Sequence, residues 1–177
     1  MSDKIFEPGE LHESDFVLFE GKSFISRGIE LFDGKYSHAA QFVGNGYVIE
    51  ATQAGVEKNA LAPLIKAAKS ICVLRVPNLS VANAELMKAG AYSQLTVGTK
   101  YDFANLISLA PYFVLRKLGI NAPWLVWSKT GKVICSELCA RDLRAICIKL
   151  AKSDKLVSPG VMRAAAKKGI FEIVYED

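Results

Sequence analysis

The sequence has few of the residues on which several common kinds of protein site depend. It contains only two histidines and four cysteines, and they lack the spacing of metal ligands. The cysteines are too few and wrongly spaced for a disulfide scaffold, which favours the reduced state. No glycine-rich loop has the spacing that holds phosphate. The sequence therefore predicts no metal site and no cofactor.

The chain also lacks a hydrophobic signal core near Met1, where the residues are polar. We therefore expect a cytoplasmic location, with export by a non-classical route as the alternative. The net charge of +4 permits an anionic partner. However, no arginine-rich stripe or helix-turn-helix pattern is present, so nucleic acid is not an expected partner.

Length and hydrophobic patterning predict one α+β domain over residues 1–177, an antiparallel sheet with helices packed on it. Strands are predicted at 15–19, 37–43, 47–51, 71–76 and 170–175. Helices are predicted at 23–32, 82–94, 101–118 and 135–151, with Pro111 as a break or kink in the third. A short helix opens at Ser158-Pro159 and is closed by Gly169.

One segment, around residues 103–127, is unusually apolar and reads FANLISLAPYFVLRKLGINAPWLVW. Arg116, Lys117, Asn121 and two prolines interrupt it, so it is a poor candidate for a membrane span. One interpretation is a core helix followed by a packed loop. The other is a lid or groove wall that meets an apolar substrate or a lipid surface, which makes membrane-surface contact a hypothesis for this insert.

Cys135 lies at the predicted start of a helix, where the helix dipole and unpaired N–H groups favour a thiolate. Its own N–H would also point to the place where an oxyanion forms. The alternative is a small buried hydrophobe, the usual fate of a free cysteine. For Cys72, Cys139 and Cys147 the buried interpretation is favoured.

His38 lies in a strand of small and apolar residues and is the best candidate for a base, with a satisfied core histidine as the alternative. His12 lies in a polar turn and is predicted to be solvated. A catalytic imidazole needs an orienting acceptor, and Glu50 lies across the predicted hairpin.

The hairpin register decides whether Glu50 can serve. A two-residue Asn45-Gly46 turn pairs Gln41 with Glu50 and puts His38 on the other face. A three-residue loop, or an equivalent bulge, pairs Ala40 with Glu50 and makes Glu50 a diagonal neighbour of His38. With the tight turn, Thr52 or Gln53 would be better placed, and Glu50 would be a solvent-facing carboxylate.

The segments SHAAQFVGNGYVIEA, GTKYDF and VICSELCA together resemble the circularly permuted papain-like (NlpC-type) cysteine hydrolases, in particular the YiiX-like branch. The resemblance extends from about Asp15 to Ser158 and implies a permuted papain-like fold whose histidine strand precedes the cysteine helix. It implies Cys135 as nucleophile, His38 as base and Glu50 as the third member of a triad. It also matches Tyr101 to a family tyrosine near the thiol, where the alternative is an ordinary aromatic at a helix start.

Two departures from the family pattern concern the helix start and the insert. Unpermuted relatives often have Asp-Cys-Ser-Gly, whereas here Ile134 precedes the cysteine and Glu137 replaces the glycine. The long apolar stretch before Cys135 is the second departure, and it bears on the substrate pocket.

The resemblance implies a cysteine amidase or peptidase that forms a thioester, acting on peptide amides such as those of cell walls. Alternatives are a thiol acyltransferase or lipid hydrolase of the lecithin:retinol acyltransferase type, and a non-catalytic binding module on the same fold. The expected partner is accordingly a peptide or an acyl-lipid substrate.

Overall fold

A six-stranded antiparallel sheet is the main element of the fold. The computed structural model describes residues 10–21, 34–129 and 131–177, so the helix predicted at 23–32 lies outside the described residues. The strands of this sheet are β1 (Phe16–Phe19), β2 (His38–Gly44), β3 (Tyr47–Thr52), β4 (Gly55–Ala60), β5 (Ile71–Arg75) and β8 (Glu172–Glu176). They lie side by side in the order β4-β3-β2-β1-β5-β8. The mixed α+β architecture predicted from the sequence is confirmed.

Two short parallel strands and five helices complete the described elements. The strands are β6 (Lys100–Tyr101) and β7 (Lys132–Val133), which pair with each other. The helices are α1 (Leu61–Ala67), α2 (Val81–Thr96), α3 (Phe103–Lys117), α4 (Cys135–Ala145) and α5 (Pro159–Ala166), with 3₁₀ turns at Pro123–Leu125 and Asp154–Leu156.

Side chains alternate between the two faces of the sheet, and helices pack on both faces, so each face contributes to the core. On one face, Phe16 and Leu18 of β1 pack with residues of α2, α4 and α5 such as Met87, Leu143 and Met162. On the other, their strand neighbours pack with α1, in a cluster that includes Val17, Phe19 and Leu61. Each fully buried side chain of this size contributes about 1.5–3 kcal/mol to folding.

The β2–β3 hairpin combines a tight turn with a bulge. Gly44 pairs with Tyr47 across Asn45-Gly46, whose φ angles of 54° and 77° suit a two-residue hairpin turn. The register then shifts between Phe42 and Gly44, so that Ala40 pairs with Glu50. This is the bulged alternative of the two registers considered from the sequence.

Several predicted boundaries were wrong, each for a physical reason. Helix α4 ends at Ala145 rather than at residue 151, because Cys147 takes a left-handed conformation with φ 64°. Strand β4 and helix α1 were not predicted, since the alternation of apolar and polar residues over 55–60 is weak. Pro111 lies inside α3 without ending it.

The apolar insert has a buried side, which agrees with the core-helix interpretation, whereas the lid or groove-wall interpretation stays a prediction. One side of α3 is buried through Leu109, Tyr112 and Phe113, as a core helix would be. The other side is exposed, as a surface that meets a partner would be. In the part of the chain that the structure describes, no helix has the length and apolar character needed to cross a membrane.

Substituting Gly55 with alanine is expected to loosen the attachment of β4 to the segment before β6. Gly55 has a φ of 128°, and an added Cβ would lie 2.9 Å from the carbonyl oxygen of Thr99. That oxygen accepts the N–H of Val56 at 2.9 Å. We expect Gly55→Ala to lower the free energy of unfolding by about 3 kcal/mol, measured by denaturant titration.

Gly98→Ala is the matched control, because Gly98 has a φ of 67° and open space where a Cβ would lie. It should cost only about 1 kcal/mol, for the left-handed backbone alone. Equal losses in the two variants would contradict the close approach at Thr99.

Candidate active site

Cys135 is the first residue of α4, as predicted. The preceding Ile134 has extended backbone (φ −98°, ψ 167°), and no side chain caps this helix start. The N–H groups of the first turn are therefore available to the Cys135 thiol. Cys135 is buried, with 4% of its surface exposed. The helix start supplies the electropositive surroundings that a thiolate needs.

His38 is the first residue of β2 and lies between Cys135 and Glu50. Its Nε2 contacts a carboxylate oxygen of Glu50, and its side chain also interacts with the Cys135 thiol. Because Nε2 faces the carboxylate, Nδ1 is the nitrogen left to face the thiol. Phe19 of β1 pairs with His38 across the two strands, and the centroids of the two rings are 5.9 Å apart.

The thiol and the imidazole shift each other's pKa in opposite directions. Burial alone would raise the pKa of Cys135, but His38 and the backbone N–H groups of Ala39 and Ser136 outweigh burial and lower it. Burial alone would lower the pKa of His38, but Cys135 and Glu50 raise it instead. The pair is thus set to exist as thiolate and imidazolium.

Glu50 is a buried carboxylate and not the solvent-facing one that the tight register would have produced. It is 3% exposed, and Asn59 Nδ2 donates to its second oxygen at 2.9 Å. Burial raises the pKa of Glu50, yet hydrogen bonds from His38 and Asn59 make the net shift downward. The downward shift favours the charged form of this carboxylate beside the imidazole.

Tyr101 ends β6 beside Cys135. Burial, the charge of Cys135 and that of Asp102 together raise the pKa of its hydroxyl, which favours the protonated form. Its ring packs on the Phe103 ring with centroids 4.9 Å apart. The four residues predicted for the site thus lie in one region of the structure.

The other candidates from the sequence lie elsewhere. His12 is exposed, as expected, and Gln53 is exposed in the β3–β4 turn. Thr52 donates through its hydroxyl to Glu57 at 2.6 Å and does not contact His38.

The remaining cysteines differ in burial. Cys72 and Cys139 are buried, and burial raises the pKa of both thiols, to about 12 for Cys72. The prediction for Cys147 was wrong, because the early end of α4 leaves it exposed.

Asn59 was missed by sequence reasoning. It lies on β4, where it pairs with Val48 of β3. The pair formed by Glu50 and Glu57 is two residues further along the same strands. A turn at Gln53-Ala54 followed by Gly55 was the available signal, since a second hairpin there brings β4 beside Glu50.

Glu137, the third residue of α4, faces the protein interior. Arg141 donates to one of its carboxylate oxygens at 2.9 Å, and Asn105 Nδ2 donates to the other at 3.2 Å. Burial nevertheless raises the pKa of Glu137. The Arg141 bond lies within α4, whereas the Asn105 bond joins the first turn of α4 to α3 and so helps hold the thiol-bearing helix against the apolar insert.

Comparison with known proteins identifies first a fold and then a relative. No family model matches the chain. The crystal structure of metalloprotein yiiX (DUF1105) from Escherichia coli O157:H7 is similar with a TM-score of 0.70 and 19% identity, covering 94% of this chain and 97% of that one. At this identity the likeness shows the fold.

A relative in sequence is the "Probable lipoprotein peptidase YaeF" of Escherichia coli K12, with 31% identity over 110 residues. The match covers 62% of this chain but only 39% of YaeF, so the chain spans about two fifths of that protein's length. The predicted resemblance to YiiX-like proteins is thereby confirmed.

The metal named for yiiX has no evident counterpart here. Within residues 10–21, 34–129 and 131–177, no group of three or more His, Cys, Asp or Glu side chains is arranged to hold a metal ion.

The Cys135 thiol should react with iodoacetamide well below pH 8. His38 lowers its pKa, so the thiolate persists until the pH falls through that lowered value. In His38→Ala the reaction should begin only near or above an ordinary thiol pKa of about 8.5. The rates are read by peptide mass spectrometry across the pH range.

The same digests contain their own controls. Cys147 is exposed and lies outside the site, so its labelling rate should be the same in wild type and His38→Ala at each pH, and buried Cys72 and Cys139 should label slowly at every pH. A Cys135 profile identical in wild type and His38→Ala would contradict the activated pair.

Proposed function

We propose that the protein is a cysteine hydrolase, an amidase or peptidase in which Cys135, His38 and Glu50 act as a triad. The observation that supports this is the continuous chain of contacts from the thiol through the imidazole to a buried carboxylate. The lowered pKa of Cys135 and the raised pKa of His38 suit a nucleophile and a proton donor respectively.

In the proposed acylation step, the Cys135 thiolate attacks the carbonyl carbon of an amide, and a C–S bond forms as the carbonyl electrons move to oxygen. In this proposal the backbone N–H of Cys135 stabilises the oxyanion, and Tyr101, whose hydroxyl pKa is influenced by the charge of Cys135, helps to polarise the carbonyl. When the oxyanion collapses, the C–N bond breaks. The His38 imidazolium gives its proton to the leaving amine.

Deacylation reverses the role of His38. Neutral His38 takes a proton from water, the resulting hydroxide attacks the thioester carbon, and the C–S bond breaks. Cys135 leaves as a thiolate beside the imidazolium, which restores the starting pair. Glu50 keeps the ring oriented in both steps and stabilises its positive form. The residues of the triad carry out every proton transfer in this scheme.

The proposal includes the domain organisation. Residues 1–177 form one permuted papain-like domain, in which the histidine strand β2 precedes the cysteine helix α4, with an apolar insert around 103–127. The fold shared with yiiX supports this arrangement.

Peptide amides, such as those of cell-wall peptides, are the proposed substrates, and the similarity to a protein named as a peptidase supports them. A second candidate is acyl-lipid hydrolysis or acyl transfer. It is favoured by the contact between Phe103, at the start of the exposed apolar helix α3, and Tyr101 beside the thiol.

Turnover is tested with two substrate sets, peptidoglycan stem peptides and acyl esters. Cys135→Ser should lower turnover of the preferred set by at least about 10³-fold, because serine lacks a comparable anion. Cys147→Ser is the matched control, since that thiol is exposed and outside the site. If Cys135 is labelled rapidly but the protein turns over neither substrate set, the hydrolase proposal is contradicted and a non-catalytic binding module is favoured.

Asn59 should act as a positioning residue for Glu50. Removing one hydrogen bond to a carboxylate costs about 1.5–3 kcal/mol, so Asn59→Ala should lower kcat by at least about tenfold. Loss of that bond also raises the pKa of Glu50, which shifts the acid limb of the pH–rate profile upward. Asn59→Gln should restore part of the rate.

Lys58→Ala serves as the control. Lys58 is next to Asn59 on β4, and its side chain points to the face of the strand opposite that of Asn59. It should leave both kcat and the acid limb unchanged. An Asn59→Ala enzyme with an unaltered pH profile would mean that Asn59 only supports the fold.

A further inference from the structure

The exposed large hydrophobic side chains are concentrated in the apolar insert. Seven of the twelve such residues in the described chain lie between Phe103 and Trp127. Both tryptophans of the protein are among them, with Trp124 71% and Trp127 69% exposed. Single exposed apolar residues are ordinary, whereas a concentration of this kind marks an interaction surface.

Helix α3 carries the first part of this surface as a stripe. Its exposed members are Phe103, Ile107, Pro111, Val114 and Leu118. They are spaced by three or four residues, so they occupy one side of the helix over four turns. The opposite side of α3 packs on the protein core.

The segment after α3 returns along the helix and carries the second part. The N–H of Trp127 donates to the Ser108 hydroxyl at 2.9 Å, and the N–H of Lys129 donates to Asp102 at 2.7 Å. These bonds hold the tryptophan segment beside α3 rather than free in solution. We call the α3 stripe together with Trp124 and Trp127 the insert surface.

The surface charges that residues 100–132 carry are all positive. The segment contains five cationic residues, Lys100, Arg116, Lys117, Lys129 and Lys132. Its single acidic residue, Asp102, is fully buried as the N-cap of α3. An occupant of this surface should therefore be apolar at its centre and anionic around it.

We propose that the insert surface docks on the face of an anionic lipid bilayer. A bilayer interface combines acyl chains, which accept Ile107 and Leu118, with anionic headgroups, which attract the lysines and arginine. Exposed tryptophans are suited to the boundary between the two. A second copy of the chain is a poorer occupant, because symmetric pairing would set cation against cation.

Docking in this manner would bring the bilayer next to the candidate active site. Phe103 begins the stripe, and its ring contacts Tyr101, which lies beside Cys135. The proposal does not depend on the thiol chemistry, however. A Cys135→Ala protein should bind membranes as well as wild type does, so failure of the proposed function and failure of docking are distinguishable.

Vesicle flotation of the full chain provides the test. Wild type should float with phosphatidylcholine vesicles containing about one third phosphatidylglycerol, and weakly with pure phosphatidylcholine. Trp124→Ser/Trp127→Ser, and separately Ile107→Ser/Leu118→Ser, should weaken binding by at least about tenfold. Arg116→Gln/Lys129→Gln should weaken binding at low salt and have little effect at high salt.

Val81→Ser/Val97→Ser, at the first residue and the C-cap of α2, is the matched control, since these residues are 81% and 76% exposed but lie outside the insert. It should bind as wild type does, and circular dichroism checks that every variant is folded. The proposal is overturned if no vesicle binds wild type, or if the α2 control loses as much as the insert variants. It is also overturned if the insert substitutions abolish a dimer seen by light scattering and leave vesicle binding intact.

Discussion

The register between β2 and β3 is the constraint on which the candidate site depends. Side chains alternate along a strand, so a shift of one residue would move Glu50 to the face opposite His38. The bulge between Phe42 and Gly44 supplies that shift while the Asn45-Gly46 turn keeps its tight geometry. One irregular residue thus decides whether the imidazole contacts a carboxylate.

Burial and charge have opposite effects on the pKa values of Cys135, His38 and Glu50. Each of Cys135, His38 and Glu50 would by burial alone be driven toward its neutral form. Their mutual contacts, together with Asn59 and the N–H groups at the start of α4, reverse that tendency. The charged forms therefore depend on the set being assembled, and removing one member changes the pKa of the others.

The apolar insert is built into the same structure. Its helix α3 is capped by Asp102, whose neighbour Tyr101 lies beside the thiol, and Asn105 bonds to Glu137 in the first turn of α4. Residues that support the site are therefore also those that hold the insert in place. One side of α3 completes the core, while the other leaves an apolar surface adjacent to the site.

The sequence by itself determined the α+β class, most strand positions and the start of α4 at Cys135, because these follow from local periodicity and turn residues. It also limited the candidate base to His38. Only the tertiary structure decided that Asn59 contacts Glu50, that Cys147 is exposed and that one side of α3 faces solvent. These outcomes depend on a bulge, a helix end and packing between distant segments, which local pattern does not encode.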